Sequence, residues 1–305
     1  MNNAQSINRG TSFRDRHTVG SRTRRNTTNV VAHIVTGLAA LFALGLLVYL
    51  LLFLLVKGFG AISWDFITKP PTAVGEAGGG IVTSLLGTLT IVGIASLIGA
   101  PLGIMIGTFL SERAATDSVF STVARIAVNT FTGIPSIIVG IFVYITVVKP
   151  MGNFSAIAGG IALAIVMIPI IARTSEDVMR LVPGSIREAG LALGIPTWRV
   201  TLGLVLPAAR AGIITGGVLA VARVAGETAP LILTALGNEF LPSNFLASLA
   251  QPTDEVTLRI LKYARGPYDV WHEQAYGAAL VLVVGVALGA LLLRLATRGH
   301  GAQSQ

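Results

Sequence analysis

The chain has 305 residues, of which 53% are hydrophobic and 12% charged; it has no Cys and a formal net charge of +8. A soluble domain is roughly a quarter charged, so this composition excludes an ordinary soluble enzyme, and its apolar content excludes a disordered chain. The lack of Cys excludes a disulfide framework, a Cys-ligated zinc or Fe–S site and a thiol nucleophile.

Residues 1–33 form a basic tail with six Arg (Arg9, Arg14, Arg16, Arg22, Arg24 and Arg25), rich in Asn, Ser and Thr. Its composition predicts disorder and contact with anionic lipid. No aromatic-interleaved basic patch accompanies it, so no nucleic-acid partner is expected. Crossing the hydrocarbon takes roughly 20 apolar helical residues. Five runs carry no charge: 34–56, 81–110, 126–148, 156–172 and 275–293. A sixth, 211–236, is apolar except for Arg223 and Glu227. None alternates as barrel strands do. The expected fold is an all-α membrane protein with six transmembrane helices. Residues 34–56 are the first span, 81–293 a core of five, and 294–305 a tail. With both termini in the cytoplasm, 15 Lys and Arg fall inside and six outside, as the positive-inside rule requires.

No GxxxxGK[ST], HExxH or GxSxG motif occurs, so this chain has no such route to ATP, zinc or a serine nucleophile. His17, His33, His272 and His300 are scattered. A transport subunit without its own cofactor is expected, not an enzyme.

The segment 174–210, between the fourth and fifth spans, is too patterned for a linker. Ser185 and Glu188 have the spacing of a capping box after Pro183-Gly184. Ile186, Ala189 and Leu193 share one helical face, Gly194 stands at a C-cap position, Pro196 fits the first turn of a following piece, and Pro207 is expected to end or kink that piece. These signals predict a short amphipathic helix over 186–193. It suits a partner's groove or the membrane surface, and charge alone does not choose between them.

Glu188-Ala189-Gly190, then Gly194, then Leu204-x-Leu206-Pro207 resembles the EAA loop of bacterial binding-protein-dependent ABC importer permeases, with Gly190 and Leu204 in place of Ala and Ile. Further stretches, Phe131–Ser136, Ile168–Thr174, Ala222–Pro230 and Tyr263–His272, resemble the phosphate-specific, PstA-type branch of those permeases. The resemblance implies a MetI-like type I fold and a bacterial cytoplasmic membrane. It implies that Glu188, Ala189, Gly190, Gly194, Leu206 and Pro207 couple to a separate ATPase dimer (PstB-like), which binds ATP and Mg. It also implies a second permease subunit (PstC-like) and an extracytoplasmic phosphate-binding protein (PstS-like). The charges at Asp254, Glu255 and Arg259 and the N-terminal tail depart from that pattern.

Ionisable groups at membrane depth are costly and usually serve function. Arg223 and Glu227, spaced i, i+4, are expected on one helix face, lining the substrate pathway. Arg offers a planar fork for two oxyanion oxygens, and a carboxylate accepts a hydrogen bond from the P–OH that sulfate lacks. An ion pair that only fixes packing is the competing reading. Arg173 and Glu176 line an inner mouth or are a positive-inside Arg with a solvated Glu. Thr132 and Ser136 flank Pro135, where backbone groups could face the pathway, although a simple kink is expected. Gly99, Gly103 and Gly107, and likewise Gly285 and Gly289, have close-packing spacing. Tyr263, Tyr268 and Trp271 are expected as interfacial anchors. The expected activity is ATP-driven import of phosphate by alternating access. The alternatives are another oxyanion such as sulfate or molybdate, or proton-coupled secondary transport through Glu227. The latter lacks the repeated half such transporters show.

Overall fold

A computed structural model describes residues 14–73, 76, 78–112, 119–241 and 244–298; no side chain is described at 14–25, 27, 245–246 or 296–298. The described residues are helical, joined by loops and a single isolated bridge. Nine helices organise them: α1 (Arg14–Gly58), α2 (Val82–Glu112), α3 (Val119–Gly133), α4 (Ser136–Met151), α5 (Ala156–Arg180), α6 (Gly184–Ala192), α7 (Thr197–Val224), α8 (Val256–Arg265) and α9 (Asp269–Arg298). Five are long and apolar enough to cross a membrane, or six if α3 and α4 together form one bent span.

The chain divides into two units, Met1–Leu55 and Val56–Gln305. The first contains most of α1, whose first residues, from Arg14, fall within the segment 1–33 expected to be disordered. Residues 1–13 of that tail lie outside the described residues.

The second unit is built on α2 and α5. Gly99, Gly103 and Gly107 lie along α2 where a Cβ would meet α5: Met167 Cβ at 3.3 Å, Ile171 Cβ at 2.7 Å and Ser175 Cβ at 2.6 Å. Only glycine permits so close a backbone approach. Ile91, Ala95, Leu163, Ala164, Met167 and Ile171 close the seam and pack against Ala220 and Val224 of α7. Gly212 and Gly216 of α7 admit Val178 and Thr174 of α5 in the same way. Gly285 and Gly289 of α9 behave differently: neither meets an atom within 4 Å, and with Gly93 they line an open apolar groove of about 520 Å³ between α2, α7 and α9.

Proline shapes the helices in two ways. In α7 the Leu206 N–H reaches back to Thr201 O, and in α4 the Lys149 N–H reaches back to Tyr144 O. Each widened turn ends one residue before a proline, Pro207 or Pro150, whose missing N–H cannot continue the ladder. Pro207 therefore neither ends nor sharply kinks the helix; α7 passes through it. Pro135 separates two helices: α3 and α4 meet at 101°. Pro135 has φ −56° and ψ 128°, outside helical geometry, so the simple kink expected of it is replaced by a full break.

Candidate functional site

The run 211–236 is not one helix. α7 stops at Val224, and the N–H groups of Gly226 and Glu227 turn back to Arg223 O and Val224 O. A single helical turn, Ala229–Ile232, follows. Gly140 of α4 lets it approach, since a Cβ there would lie 2.7 Å from Pro230 Cα. Two broken helices thus meet, one interrupted at Pro135 and the other after Val224. Between them lies a cavity of about 270 Å³, lined by Phe131, Thr132, Pro135, Ser136, Arg223 and Glu227 with apolar residues of α4 and α5.

Four of the expected pathway residues come together here. Arg223 Nε stands 4.0 Å from Glu227 Oε1, too far for a hydrogen bond, and the Arg223 side chain is 59% exposed. The pair does not share a face of one continuous helix: Arg223 is in the last turn of α7 and Glu227 lies past its end. Ser136 Oγ donates to Glu227 Oε2 at 3.1 Å. Thr132 Oγ1 donates to Val128 O at 2.9 Å, and the residue lines the cavity. The first turn of α4 opens into the same space, adding the positive end of a helix dipole. A guanidinium largely free of its carboxylate, a hydroxyl and a helix N-terminus make a setting for an oxyanion. Glu227 supplies an acceptor for a protonated oxyanion oxygen.

Arg173 and Glu176 are not part of the cavity. Arg173 pairs with Asp177 at 3.0 Å on the surface. Glu176 is buried, not solvated, between Arg125 of α3 at 2.9 Å and Arg180 at 2.7 Å. It ties the arm α3 to the α2–α5 seam. Arg125 Nη2 and Glu176 Oε2 are both buried without a partner.

The segment 174–210 does project a short helix, α6, but it begins at Gly184 with Pro183 as N-cap and no side-chain cap bond. The expected Ser185–Glu188 capping box does not form. Gly194 takes the left-handed C-cap conformation, with φ +74°, as its position predicts. Ile186 turns inward onto Met179, Val182 and Val200. Glu188, Ala189, Leu191 and Leu193 face outward, joined by exposed Leu181 and Trp198. Arg187 fastens the helix to the core, donating to Val182 O at 3.0 Å and Met179 O at 3.1 Å, and pairing with Glu112 of α2 at 3.3 Å. Gly190 is buried and Leu206 packs against the Met179 cluster.

The charges at Asp254, Glu255 and Arg259 form a buried network that the sequence did not place. Arg259, 1% exposed, binds Asp254 Oδ2 through Nε at 2.9 Å and Nη2 at 2.6 Å, and Glu239 through Nη1 at 2.8 Å. Burial opposes its charge most strongly, but Asp254, Tyr263 and Glu239 around it together outweigh burial and raise its pKa. Tyr263, expected as an interfacial anchor, is buried, with Arg259 over its ring and Trp271 stacked on it at 5.1 Å. A basic and an acidic residue five apart carry no periodicity signal, so only the fold joins them to Ser84 of α2.

Residues 99–299 match the family of binding-protein-dependent transport system inner membrane components. The chain is 41% identical over 280 residues to the phosphate transport system permease protein PstA of Xylella fastidiosa (strain Temecula1 / ATCC 700964), covering 89% of this chain and 94% of that one. It is 38% identical to PstA of Yersinia pestis, covering 89% and 90% of the two chains. It is 33% identical to PstA 1 of Mycobacterium tuberculosis (strain CDC 1551 / Oshkosh), covering 90% and 91%. The chain belongs to the PstA permeases, within the binding-protein-dependent inner membrane components. An inward-facing MetNI methionine ABC transporter chain superposes with TM-score 0.60 at 18% identity, over 72% of this permease and 95% of that chain. At that identity the likeness shows the MetI-like fold alone. This permease is therefore a multi-pass transport subunit rather than an enzyme, part of an ABC transporter with partner subunits.

Proposed function

We propose that this permease moves inorganic phosphate through the cavity between the two helix breaks, by alternating access driven by ATP hydrolysis on a separate subunit. The observation that carries the reading is the convergence of Arg223, Glu227 and Ser136 on one cavity where both helices lose their ladder. Irregular backbone at membrane depth is tolerated where it lines a cavity or is buried in protein. Arg223 would hold phosphate oxygens, and Glu227 would accept a hydrogen bond from P–OH while repelling an unprotonated dianion.

The outward face of α6, carrying Glu188, Ala189, Leu191 and Leu193, is the docking surface for the ATPase dimer that binds ATP and Mg. Exposed leucines and Trp198 beside it suit a protein groove. Alternating access needs a second, PstC-like permease, and delivery needs a PstS-like binding protein outside the cell. The excess of Lys and Arg in the tails and in the segment 174–210 supports a topology with both termini in the cytoplasm of a bacterium and the chain in its inner membrane. Gly194, Leu206 and Pro207 set how α6 is carried into α7.

Uptake of labelled phosphate at low micromolar concentration tests this in cells lacking the chain. Restoration by wild type and not by Arg223→Ala is expected. Restoration by both would remove the cavity from the path. Loss of sulfate or molybdate uptake instead would change the cargo.

A further inference from the structure

The polar chain that begins at Ser136 does not end at Glu227. The Glu227 carbonyl, in the break after α7, accepts from Thr257 Oγ1 at 3.2 Å. Thr257 Oγ1 also lies against Glu255 Oε2, in a short contact. Glu255 is the N-cap of α8: its Oε2 accepts from Thr257 N at 2.8 Å and Leu258 N at 3.3 Å. Its Oε1 meets Thr88 Oγ1 of α2 at 3.3 Å, and Thr88 itself can donate to Ser84 O at 2.9 Å. A threonine hydroxyl has one hydrogen. Thr257 therefore serves either the Glu255 carboxylate or the Glu227 carbonyl, and Thr88 faces the same choice between Glu255 and Ser84 O. An ionised Glu255 draws both hydrogens, because charge-assisted bonds are roughly twice as strong as neutral ones. A protonated Glu255 donates to Thr88 Oγ1 instead. Thr88 then turns to Ser84 O, and Thr257 is released to hold Glu227.

Resting on the reading of Arg223 and Glu227 as the phosphate path, we propose that Thr257 and Glu255 are positioning residues for it, with the proton on Glu255 deciding whether Thr257 holds the Glu227 backbone in place. Glu255 is 1% exposed, and burial raises its pKa from 4.5 to about 7, so both states are populated near neutrality. The groups around it leave it the titrating member. α2 contributes the hydroxyl of Thr88, while Ser84 goes to the neighbouring Asp254, itself paired with Arg259. α8 contributes Arg259, already held by Asp254 and Glu239. The apolar cluster beside it brings Val256, Ala278, Val281 and Leu282, and the segment after α7 brings Glu227.

The test uses the assembled importer with its partner subunits in proteoliposomes, with the same buffer on both faces, from about pH 6 to about pH 8.5. Thr257→Val is expected to raise KM for phosphate about fivefold with a smaller change in kcat, and Thr257→Ser to restore it. Phosphate itself titrates in this range, but equally for every variant. The ratio of KM for Glu255→Gln to wild type should therefore fall about threefold toward the alkaline end, where only the wild type loses its proton. A pH-independent ratio overturns the proposal, and so does a wild-type KM in Thr257→Val while Arg223→Ala is dead. If Arg223→Ala transports normally, the path reading falls and takes this inference with it. If Thr257→Val fails to fold, the Glu255→Gln ratio still decides.

Discussion

Gly190 of α6 lies against Val200 of α7: a Cβ on Gly190 would stand 2.8 Å from Val200 Cγ2 and 3.1 Å from Leu204 Cδ1. The two positions where this loop departs from the pattern it resembles, 190 and 204, are therefore in contact, and the smaller residue at one leaves room for the other. Val is stiff at χ1 in a helix, so it cannot simply turn away. Gly190→Ala should push α6 off the start of α7, at about 1–2 kcal/mol, and weaken coupling more than membrane insertion. Phosphate-stimulated ATP hydrolysis by the assembled importer should fall, and Val200→Ala in the same chain should recover most of it. Additive losses in the double variant would show that the contact is not what matters.

Arg187 is a further attachment of α6. Its guanidinium bonds two carbonyls at the end of α5 and pairs with Glu112. Through this side chain a push on α6 reaches both helices of the central seam, α2 and α5. Arg187→Ala should uncouple the importer: ATP hydrolysis persists while phosphate uptake falls at least tenfold. Arg187→Lys should recover only part, because a point charge cannot reproduce the fork. Uptake and hydrolysis falling in the same proportion would instead mean that α6 no longer docks.

Four of the spans and α6 were legible because hydrophobic length and the Gly194 C-cap are local signals, whereas the runs 126–148 and 211–236 are each broken. The site was legible in part. Arg223, Glu227, Thr132 and Ser136 stood out as polar groups in apolar runs, and they do converge. What the sequence hid was the break between Arg223 and Glu227, because the run 211–236 stays apolar through it and Gly226 alone does not mark a helix end. The i, i+4 argument reached the right neighbours through the wrong backbone. Glu176 misled for a related reason: Arg180 lies within reach of a spacing rule, but its other partner Arg125 lies 51 residues away, and no such rule reaches that far. The Ser185–Glu188 spacing failed because Pro183, with φ −55° and ψ 137°, already starts the helix one residue before Ser185.

Glycine positions in the apolar helices divide into two classes that sequence spacing does not separate. A Cβ on Gly107 would meet the Ala172 carbonyl oxygen at 2.5 Å, a backbone atom that cannot swing aside. Gly107→Ala should separate α2 from α5 and cost roughly 2–3 kcal/mol, seen as a lower Tm of the purified protein in detergent. Gly93→Ala should leave Tm unchanged or slightly raised, because nothing lies within 4 Å and Ala is the better helix former. Equal losses at both positions would remove the α2–α5 approach as the cause.

Buried Glu255 gives stability a pH dependence of defined sign. Its folded pKa, raised by burial to about 7, exceeds the 4.5 of the ordinary group, so the folded protein holds a proton that the unfolded chain releases. Stability from this group is full below about pH 4.5, is lost as pH rises through 7, and is level above. Glu255→Gln keeps the acceptor for the α8 N-cap and removes the titration. Relative to wild type it should gain on the order of 3 kcal/mol between pH 4.5 and pH 8. Thermal unfolding of both proteins across that range checks this, since every other carboxylate titrates in both and cancels in the difference. A constant Tm difference would mean that Glu255 stays ionised when buried, and then the hydroxyl of Thr257 would be committed to it at every pH.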